Sequence, residues 1–220
     1  AELRARPKGV GAFFAELGSA VREMPVGMHK IGLVFLFQWF ALAVYWQFVS
    51  VSMTETVSAF ASTNPDEPVS KAASGWVGAV NGTYNFVTIF AAMALIPLAQ
   101  KFGAKRVGAG ALVCGALGLV AFANISNQYV LLIPMIGLGI CWASMMGIPY
   151  IMVASMVPKE RSGVYMGIVN MMIVVPMLIQ NVTFGWIFEN LLGGRGSNAI
   201  MLSGALLACA AVAMLWVNPP

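Results

Sequence analysis

The residues best suited to chemistry in this sequence are amides and aromatic rings that lie inside long apolar segments. Asn81, Tyr84, Asn85 and Thr88 are spaced i, i+3, i+4 and i+7, which on a helix forms one polar stripe two turns long. Such a stripe can line a cavity with hydrogen-bonding groups, or it can join neighbouring helices. The spacing leaves both interpretations open, and the continuity of the stripe favours the cavity.

A second group lies on an earlier apolar segment. Gln38 and Tyr45 are seven residues apart on one helix face, and Trp39 and Trp46 occupy the next face. Aromatic rings match the C–H faces of sugars and amides match their hydroxyl groups, so this combination is typical of a site for a neutral polyol. Trp also anchors helices at membrane interfaces, and we expect one of the two faces to meet lipid.

A third group lies nearer the end of the sequence, where Asn170, Met177 and Asn181 share a helix face and Gln180 flanks it. Asn170 is the stronger candidate for contact with a ligand. Asn181 has the alternative role of pairing with a neighbouring helix.

Prolines and small residues indicate where these helices bend or pack. Pro149 and Pro176 each remove a backbone donor from an apolar helix, so each favours either a gating bend or simple packing. Gly139, Ala143 and Gly147 form a ridge at a spacing of four, which predicts close helix packing.

No Asp, Glu, Lys, Arg or His lies within the predicted spans of the sequence. Glu55, Glu189 and His29 lie just beyond predicted segment ends, and we interpret them as solvated loop residues. The sequence has no H-E-x-x-H motif or Ser/His pair within these segments, so we expect no enzyme. Its three cysteines have no C-x-x-C spacing, so we expect neither a metal site nor a cofactor.

The composition determines which elements position these residues. Hydrophobic residues make up 60% of the 220 residues and charged residues 9%, which indicates that lipid is the solvent. The apolar residues fall into blocks long enough for a helix to cross a bilayer. We therefore predict an all-α membrane protein with a six-helix bundle over residues 31–218, whose spans are 31–53, 75–98, 107–123, 129–156, 164–188 and 199–217.

Residues 1–30 are predicted to form a cytoplasmic linker that contains an amphipathic helix. Phe13, Phe14, Leu17 and Val21 have helical spacing, and the pattern ends near Pro25. The linker-like start of the sequence leads us to expect a piece of a longer protein.

Basic residues orient the bundle. Ten of the twelve Lys and Arg residues fall on one side of a six-span arrangement, which predicts that both chain ends are cytoplasmic. This placement accounts for the net charge of +4 through membrane topology, so we expect no nucleic-acid partner.

Two long stretches resemble a known family. M-P-V-G-M-H-K-I-G-L-V-F-L-F-Q-W-F-A-L-A-V-Y-W, residues 24–46, resembles the linker and seventh helix of sucrose transporters in the major facilitator superfamily. G-I-C-W-A-S-M-M-G-I-P-Y, residues 139–150, and V-P-K-E-R-S-G-V-Y-M-G-I-V-N-M-M-I-V-V-P, residues 157–176, are similar to that family's tenth and eleventh helices.

A shorter stretch, L-A-Q-K-F-G-A-K-R at residues 98–106, is similar to the cytoplasmic D-R-x-G-R-K-type loop of the superfamily. Gly103 permits a tight turn, Lys101 suits the negative end of the preceding helix, and Lys105 and Arg106 hold the turn inside. Gln100 and Ala104 depart from the motif, so a charge-pair lock is not expected at this loop.

The resemblance implies that these spans are helices seven to twelve of a proton-coupled transporter, that a six-helix half precedes Ala1, and that the protein resides in a bacterial inner membrane. It implies a sucrose-like glycoside as substrate, adds Trp142 to the candidate contacts, and assigns the proton to the other half. Its alternative is transport of another small neutral or weakly polar solute. The partners expected are therefore the bilayer, the other half, the sugar and a proton.

Overall fold

The computed structural model describes residues 18, 19, 21–61, 69–158 and 162–217. Within these residues the chain forms six long helices and no strand. All six are long and apolar enough to cross a membrane, which confirms the predicted all-α, six-span fold. Their bounds are α1 Val26–Thr56, α2 Lys71–Phe102, α3 Ala104–Phe122, α4 Pro134–Met156, α5 Ser162–Asn190 and α6 Gly196–Trp216.

Several helices extend beyond the apolar blocks that mark them in the sequence. α1 begins directly after Pro25 and continues to Thr56, so it contains Lys30 and Glu55, and α2 likewise begins and ends with lysine-containing turns. A helix satisfies its own backbone hydrogen bonds in any solvent, so it can continue into the polar interface. Hydrophobicity marks the membrane-buried length of a helix rather than its ends.

α4 is shorter than the apolar block that predicts it. Residues Val130–Leu132 form a 3₁₀ turn, and the α-helix begins at Pro134. Proline favours the first turn of a helix because its missing N–H has no partner to lose there.

Four helices form the centre of the bundle. α1 packs along α6, α6 along α3 and α3 along α4, while α2 flanks α4 and α5 flanks α1. We compared the most apolar stretch of 18 residues in each helix. In α2 11% of these residues are buried and in α5 22%, whereas in the other four helices 50–56% are buried. α2 and α5 therefore present most of their apolar surface outward.

Small residues set the close approach of the central helices. A Cβ at Gly118 would lie 2.6 Å from the carbonyl oxygen of Pro134, and one at Gly204 would lie 2.9 Å from that of Ala116. α3 can approach both α4 and α6 at these points because no side chain intervenes.

Short connections join the helices at both ends of the bundle. Gly103 alone separates α2 from α3 and has φ +88°, a conformation that favours glycine. At the other end Ser70 caps α2 by accepting a hydrogen bond from the Ala73 N–H, and its own N–H donates to the Thr54 hydroxyl over 3.2 Å.

Two sequence predictions fall largely outside the described residues. These are the amphipathic helix built on Phe13, Phe14 and Leu17, and the middle of the connection between the first two predicted spans, residues 62–68.

Candidate functional site

The Trp142 ring of α4 lies close to three aromatic rings from α1 and α2. The ring centroid of Trp142 lies 5.9 Å from that of Trp39, 5.6 Å from Trp46 and 6.4 Å from Tyr84, with interplanar angles of 72–81°. Edge-to-face pairs at these distances are favourable because the positive edge of one ring meets the negative face of another. We call these four residues the Trp142 cluster; it joins α1, α2 and α4.

The members of the Trp142 cluster differ in accessibility. Trp39 and Tyr84 are each only 6% exposed, whereas Trp46 and Trp142 are partly buried. The indole N–H of Trp39 has no hydrogen-bond partner within the described residues. Trp46 and Trp142 are therefore the two members of the cluster that keep more exposed surface.

The Gln38 and Tyr45 face of α1 points into the bundle. Both side chains are 0% exposed, and the Tyr45 ring packs at 6.5 Å from Phe122 of α3. The Trp39 and Trp46 face turns towards Trp142 on α4. α1 packs against α6 on one side and approaches α4 and α2 on the other, which buries Trp39 and leaves Trp46 partly buried.

Gln38 has an unusual environment for a polar side chain. Neither its amide nitrogen nor its amide oxygen has a hydrogen-bond partner within the described part of the chain. Leaving an amide unpartnered in an apolar interior is costly. Contact between Gln38 and a solute would require the bundle to open, so the structure separates Gln38 from the accessible rings.

The polar stripe of α2 divides into a packing part and an open part. The Tyr45 hydroxyl donates to the side-chain oxygen of Asn81 over 2.9 Å, and the Thr88 hydroxyl lies 2.8 Å from the carbonyl oxygen of Tyr84 and 3.1 Å from that of Gly139. Asn81 and Thr88 thus join α2 to α1 and α4. Asn85 is exposed, and its amide donates to the Asn81 carbonyl of its own helix, its one hydrogen bond within the described residues. The structure leaves Asn85 as the stripe's accessible amide.

A chain of amides links α1 to α5. Gln180 donates to the amide oxygen of Gln47 over 2.9 Å, and Gln47 donates to that of Asn181 over 2.9 Å. Gln180 is fully buried, and its amide oxygen has no partner within the described residues. The pairing of Asn181 with a neighbouring helix, one of its two predicted roles, is confirmed. The participation of Gln47 and Gln180 was not predicted, because the sequence does not show that the first and fifth spans are neighbours.

Asn170 stands apart from these groups. It is exposed on α5, a helix that packs on α1, and it makes no hydrogen bond with the Trp142 cluster in the described structure. The geometry therefore does not bring this candidate to the accessible rings.

The prolines and the small-residue ridge lie within helices. Pro149 is buried in α4 and Pro176 is buried in α5. A Cβ on Gly139 would lie 2.6 Å from the Tyr84 carbonyl oxygen and 2.7 Å from Cβ of Val87, whereas one on Gly147 would meet nothing within 4 Å. The ridge packs closely against α2 at Gly139 and is open at Gly147.

The α2–α3 turn carries the basic residues of the loop motif. Lys101 lies in the last turn of α2, with its ammonium nitrogen 5.2 Å from the ring centroid of Phe102. Lys105 and Arg106 lie in the first turn of α3. The positive φ of Gly103 places all three residues at the same end of the bundle.

Charged side chains occur only near the ends of the described helices. The described residues contain no group of three His, Cys, Asp or Glu side chains arranged to hold a metal ion. Glu55 is exposed, as expected of a solvated side chain, but the expectation that it lies in a loop is wrong, because it belongs to α1. Its carboxylate accepts hydrogen bonds from the N–H groups of Gly196 and Ser197, at 2.6 and 2.9 Å. Glu55 lies within α1 and caps α6.

Comparison with known proteins identifies one family. The sequence profile of the Major Facilitator Superfamily matches residues 31–220. This range contains five of the six long helices in full, and α1 from its sixth residue onward. No curated protein and no solved structure matches the chain significantly.

Proposed function

The chain belongs to the major facilitator superfamily of secondary transporters, and from that premise we propose that its six-helix bundle is the C-terminal half of a transporter for a neutral glycoside such as sucrose. Members of this superfamily are transporters rather than enzymes. We propose further that the protein resides in a bacterial inner membrane with both chain ends in the cytoplasm.

The observation that carries the proposal is a pair of partly buried indole rings, with an exposed amide on the adjacent helix; we assign these three uncharged side chains to one wall of a solute site. Trp46 and Trp142 are partly buried neighbours on α1 and α4, and Asn85 is exposed on the adjacent α2, one residue beyond Tyr84 of the Trp142 cluster. Indole faces suit the C–H surface of a sugar ring, and a side-chain amide suits its hydroxyl groups. The charged groups of the described helices lie near helix ends, so this wall favours a neutral solute.

The exposure of α2 and α5 supports a second bundle as partner. These two helices have the smallest buried share among the six, and they flank the two helices that carry Trp46 and Trp142. A second six-helix bundle packed against them would enclose the wall at mid-membrane depth. Transport would then proceed by rocking of the two bundles around the bound solute.

Proton coupling, in this proposal, belongs to the partner bundle. A proton site at membrane depth needs a titratable side chain there. The acidic residues of the described helices, Glu55 and Glu189, lie in terminal turns, and Glu55 is engaged with the start of α6.

A less polar neutral solute is the second candidate. It is favoured because the Asn81 and Thr88 side chains and the Gln180 amide nitrogen are engaged within the bundle, which leaves few amides for hydroxyl groups. Glycosides with an aromatic aglycone would then bind more tightly than sucrose.

Binding measurements on the full transporter test the proposal. Trp142→Ala should weaken sucrose binding by about two- to tenfold, because an aromatic contact contributes about 0.5–1.5 kcal/mol. Trp186→Ala is the matched control, since Trp186 is 64% exposed on α5 and outside the Trp142 cluster. Calorimetry with sucrose, a sugar phosphate and an aromatic glycoside separates the candidates.

Equal binding by both variants at an unchanged thermal midpoint would contradict the assigned wall. Tighter binding of the sugar phosphate than of sucrose would contradict a neutral substrate.

A further inference from the structure

The contact between α1 and α5 is closed over one half of its length and open over the other. Towards the C-terminal ends, the Phe48 ring packs 5.0 Å from Phe184, and Gln47 bonds to Gln180 and Asn181. Towards the N-terminal ends the two helices leave a groove of about 460 Å³. Its lining includes His29, Gly32, Leu36, Met172, Val175 and Pro176. We call this space the α1–α5 groove.

The α1–α5 groove is apolar along its length and basic at one end. His29 is the titratable side chain in its lining, and the lining also includes Val21 and Met24, which flank Arg22 and Glu23 in the chain. Arg22 and Lys30 together outweigh the single acidic neighbour Glu23, so this end has a net positive charge. Arg22 and His29 are both exposed, with Glu23 as the acidic neighbour in sequence. The first turn of α1 adds to the positive character of this end, because it has no acidic residue and no side-chain cap.

We propose that the α1–α5 groove binds an anionic phospholipid, with an acyl chain in the groove and the phosphate beside Arg22 and His29. This site is separate from the solute wall and independent of the proposed substrate. From His29 to Leu36 the helix rises about 10 Å, at roughly 1.5 Å per residue, so the groove runs from the interface into the hydrocarbon layer. A phospholipid matches this change in surroundings, because its headgroup is charged and its acyl chains are apolar.

The apolar lining of the groove suits an acyl chain, and its basic end suits an anionic headgroup. A soluble anion would meet the basic end but would leave the apolar lining unfilled, and a zwitterionic lipid would fill the lining with a weaker attraction for the basic end. Basic pockets between transmembrane helices attract anionic headgroups, at about 1 kcal/mol for each Lys or Arg. The expected ligand class is therefore a phospholipid with net negative charge, such as phosphatidylglycerol.

Native mass spectrometry of the full chain tests headgroup selectivity. Protein purified from vesicles of equal phosphatidylglycerol and phosphatidylcholine should retain phosphatidylglycerol in preference. Arg22→Gln should reduce that preference about fivefold. Arg195→Gln, which removes an exposed Arg just before α6 at the opposite end of the bundle, should leave it unchanged.

A second pair of variants tests the groove itself. Val175 lines the groove and is 45% exposed, whereas its neighbour Val174 is 51% exposed and is not part of the lining. Val175→Trp should fill the groove and abolish lipid retention, and Val174→Trp should retain lipid like the unmodified protein. Thermal midpoints in phosphatidylcholine bilayers establish that both variants are folded.

Three results would overturn the proposal. They are equal retention of the two lipids, equal loss of lipid in the two Trp variants, and displacement of the retained lipid by millimolar inorganic phosphate. The last would indicate a site for the phosphate group alone.

Discussion

The carboxylate of Glu55, near the end of α1, accepts a 2.6 Å hydrogen bond from the backbone N–H of Gly196, the first residue of α6. The next N–H, that of Ser197, donates to the same carboxylate over 2.9 Å. A Cβ at Gly196 would lie 2.6 Å from the backbone nitrogen of Ser52, so the two helix ends are in direct contact. Together with Thr54, which bonds Ser70 before α2, the end of α1 organises the starts of two other helices.

Replacing Glu55 with Gln should lower stability without removing proton-driven uptake. The substitution removes a negative charge from the positive end of α6, at a cost of about 1 kcal/mol. The thermal midpoint of the purified protein measures the loss, and uptake into vesicles measures coupling. Glu189→Gln is the control, because Glu189 is exposed in the last turn of α5. Loss of uphill transport with retained exchange in the Glu55 variant would instead assign the proton site to this residue.

Two glycines of α4 should respond oppositely to alanine. Gly139→Ala should destabilise the bundle, because its Cβ would overlap the Tyr84 carbonyl and Val87 of α2. Gly147→Ala, eight residues along the same helix, meets nothing within 4 Å and should be neutral or stabilising by up to about 1 kcal/mol. Thermal midpoints of the two variants check the prediction. Similar midpoints would contradict close packing at Gly139.

Substitutions at the polar stripe of α2 and at its partner on α1 should affect stability at one position and solute binding at another. Tyr45→Phe removes the hydrogen bond to Asn81, so it should cost about 0.5–1.5 kcal/mol of stability. Asn85→Ala should leave stability nearly unchanged and weaken solute binding, since Asn85 is exposed and bonds only within its helix. Thermal midpoints and solute titrations measure the two effects. Unchanged binding in the Asn85 variant would remove this amide from the wall.

Labelling of single cysteines should place the two ends of α2 on opposite sides of the membrane. Lys71 begins this 32-residue helix and Lys101 lies in its last turn, about 45 Å away at roughly 1.5 Å per residue. With Cys114, Cys141 and Cys209 replaced by alanine, Lys101→Cys should react with an impermeant reagent only from the cytoplasmic side. Lys71→Cys should react only from the other side. Reaction of both from one side would contradict the six-span topology.

The helices themselves follow from the sequence, because each has an apolar block long enough for a bilayer and therefore needs no knowledge of its neighbours. Their ends do not: α1 extends to Thr56 and so carries Glu55, since a polar turn remains helical at the interface. Gly103 was predictable for a local reason as well, because a turn between adjacent helices favours a residue that tolerates positive φ.

Helix periodicity established which side chains share a face, and only tertiary packing decided what each face meets. Gln38 and Tyr45 share a face by their spacing of seven, yet that face is interior because α1 packs against α6, α4 and α2. The amide chain through Gln47 and Gln180 exists because the first and fifth helices are neighbours. Spacing within a helix depends on local backbone geometry, whereas the partner of a face depends on contacts between residues far apart in the chain. The sequence by itself therefore determined six membrane helices and their polar residues, and the tertiary structure decided which of these side chains are buried, as Gln38 is, and which are exposed, as Asn85 and Asn170 are.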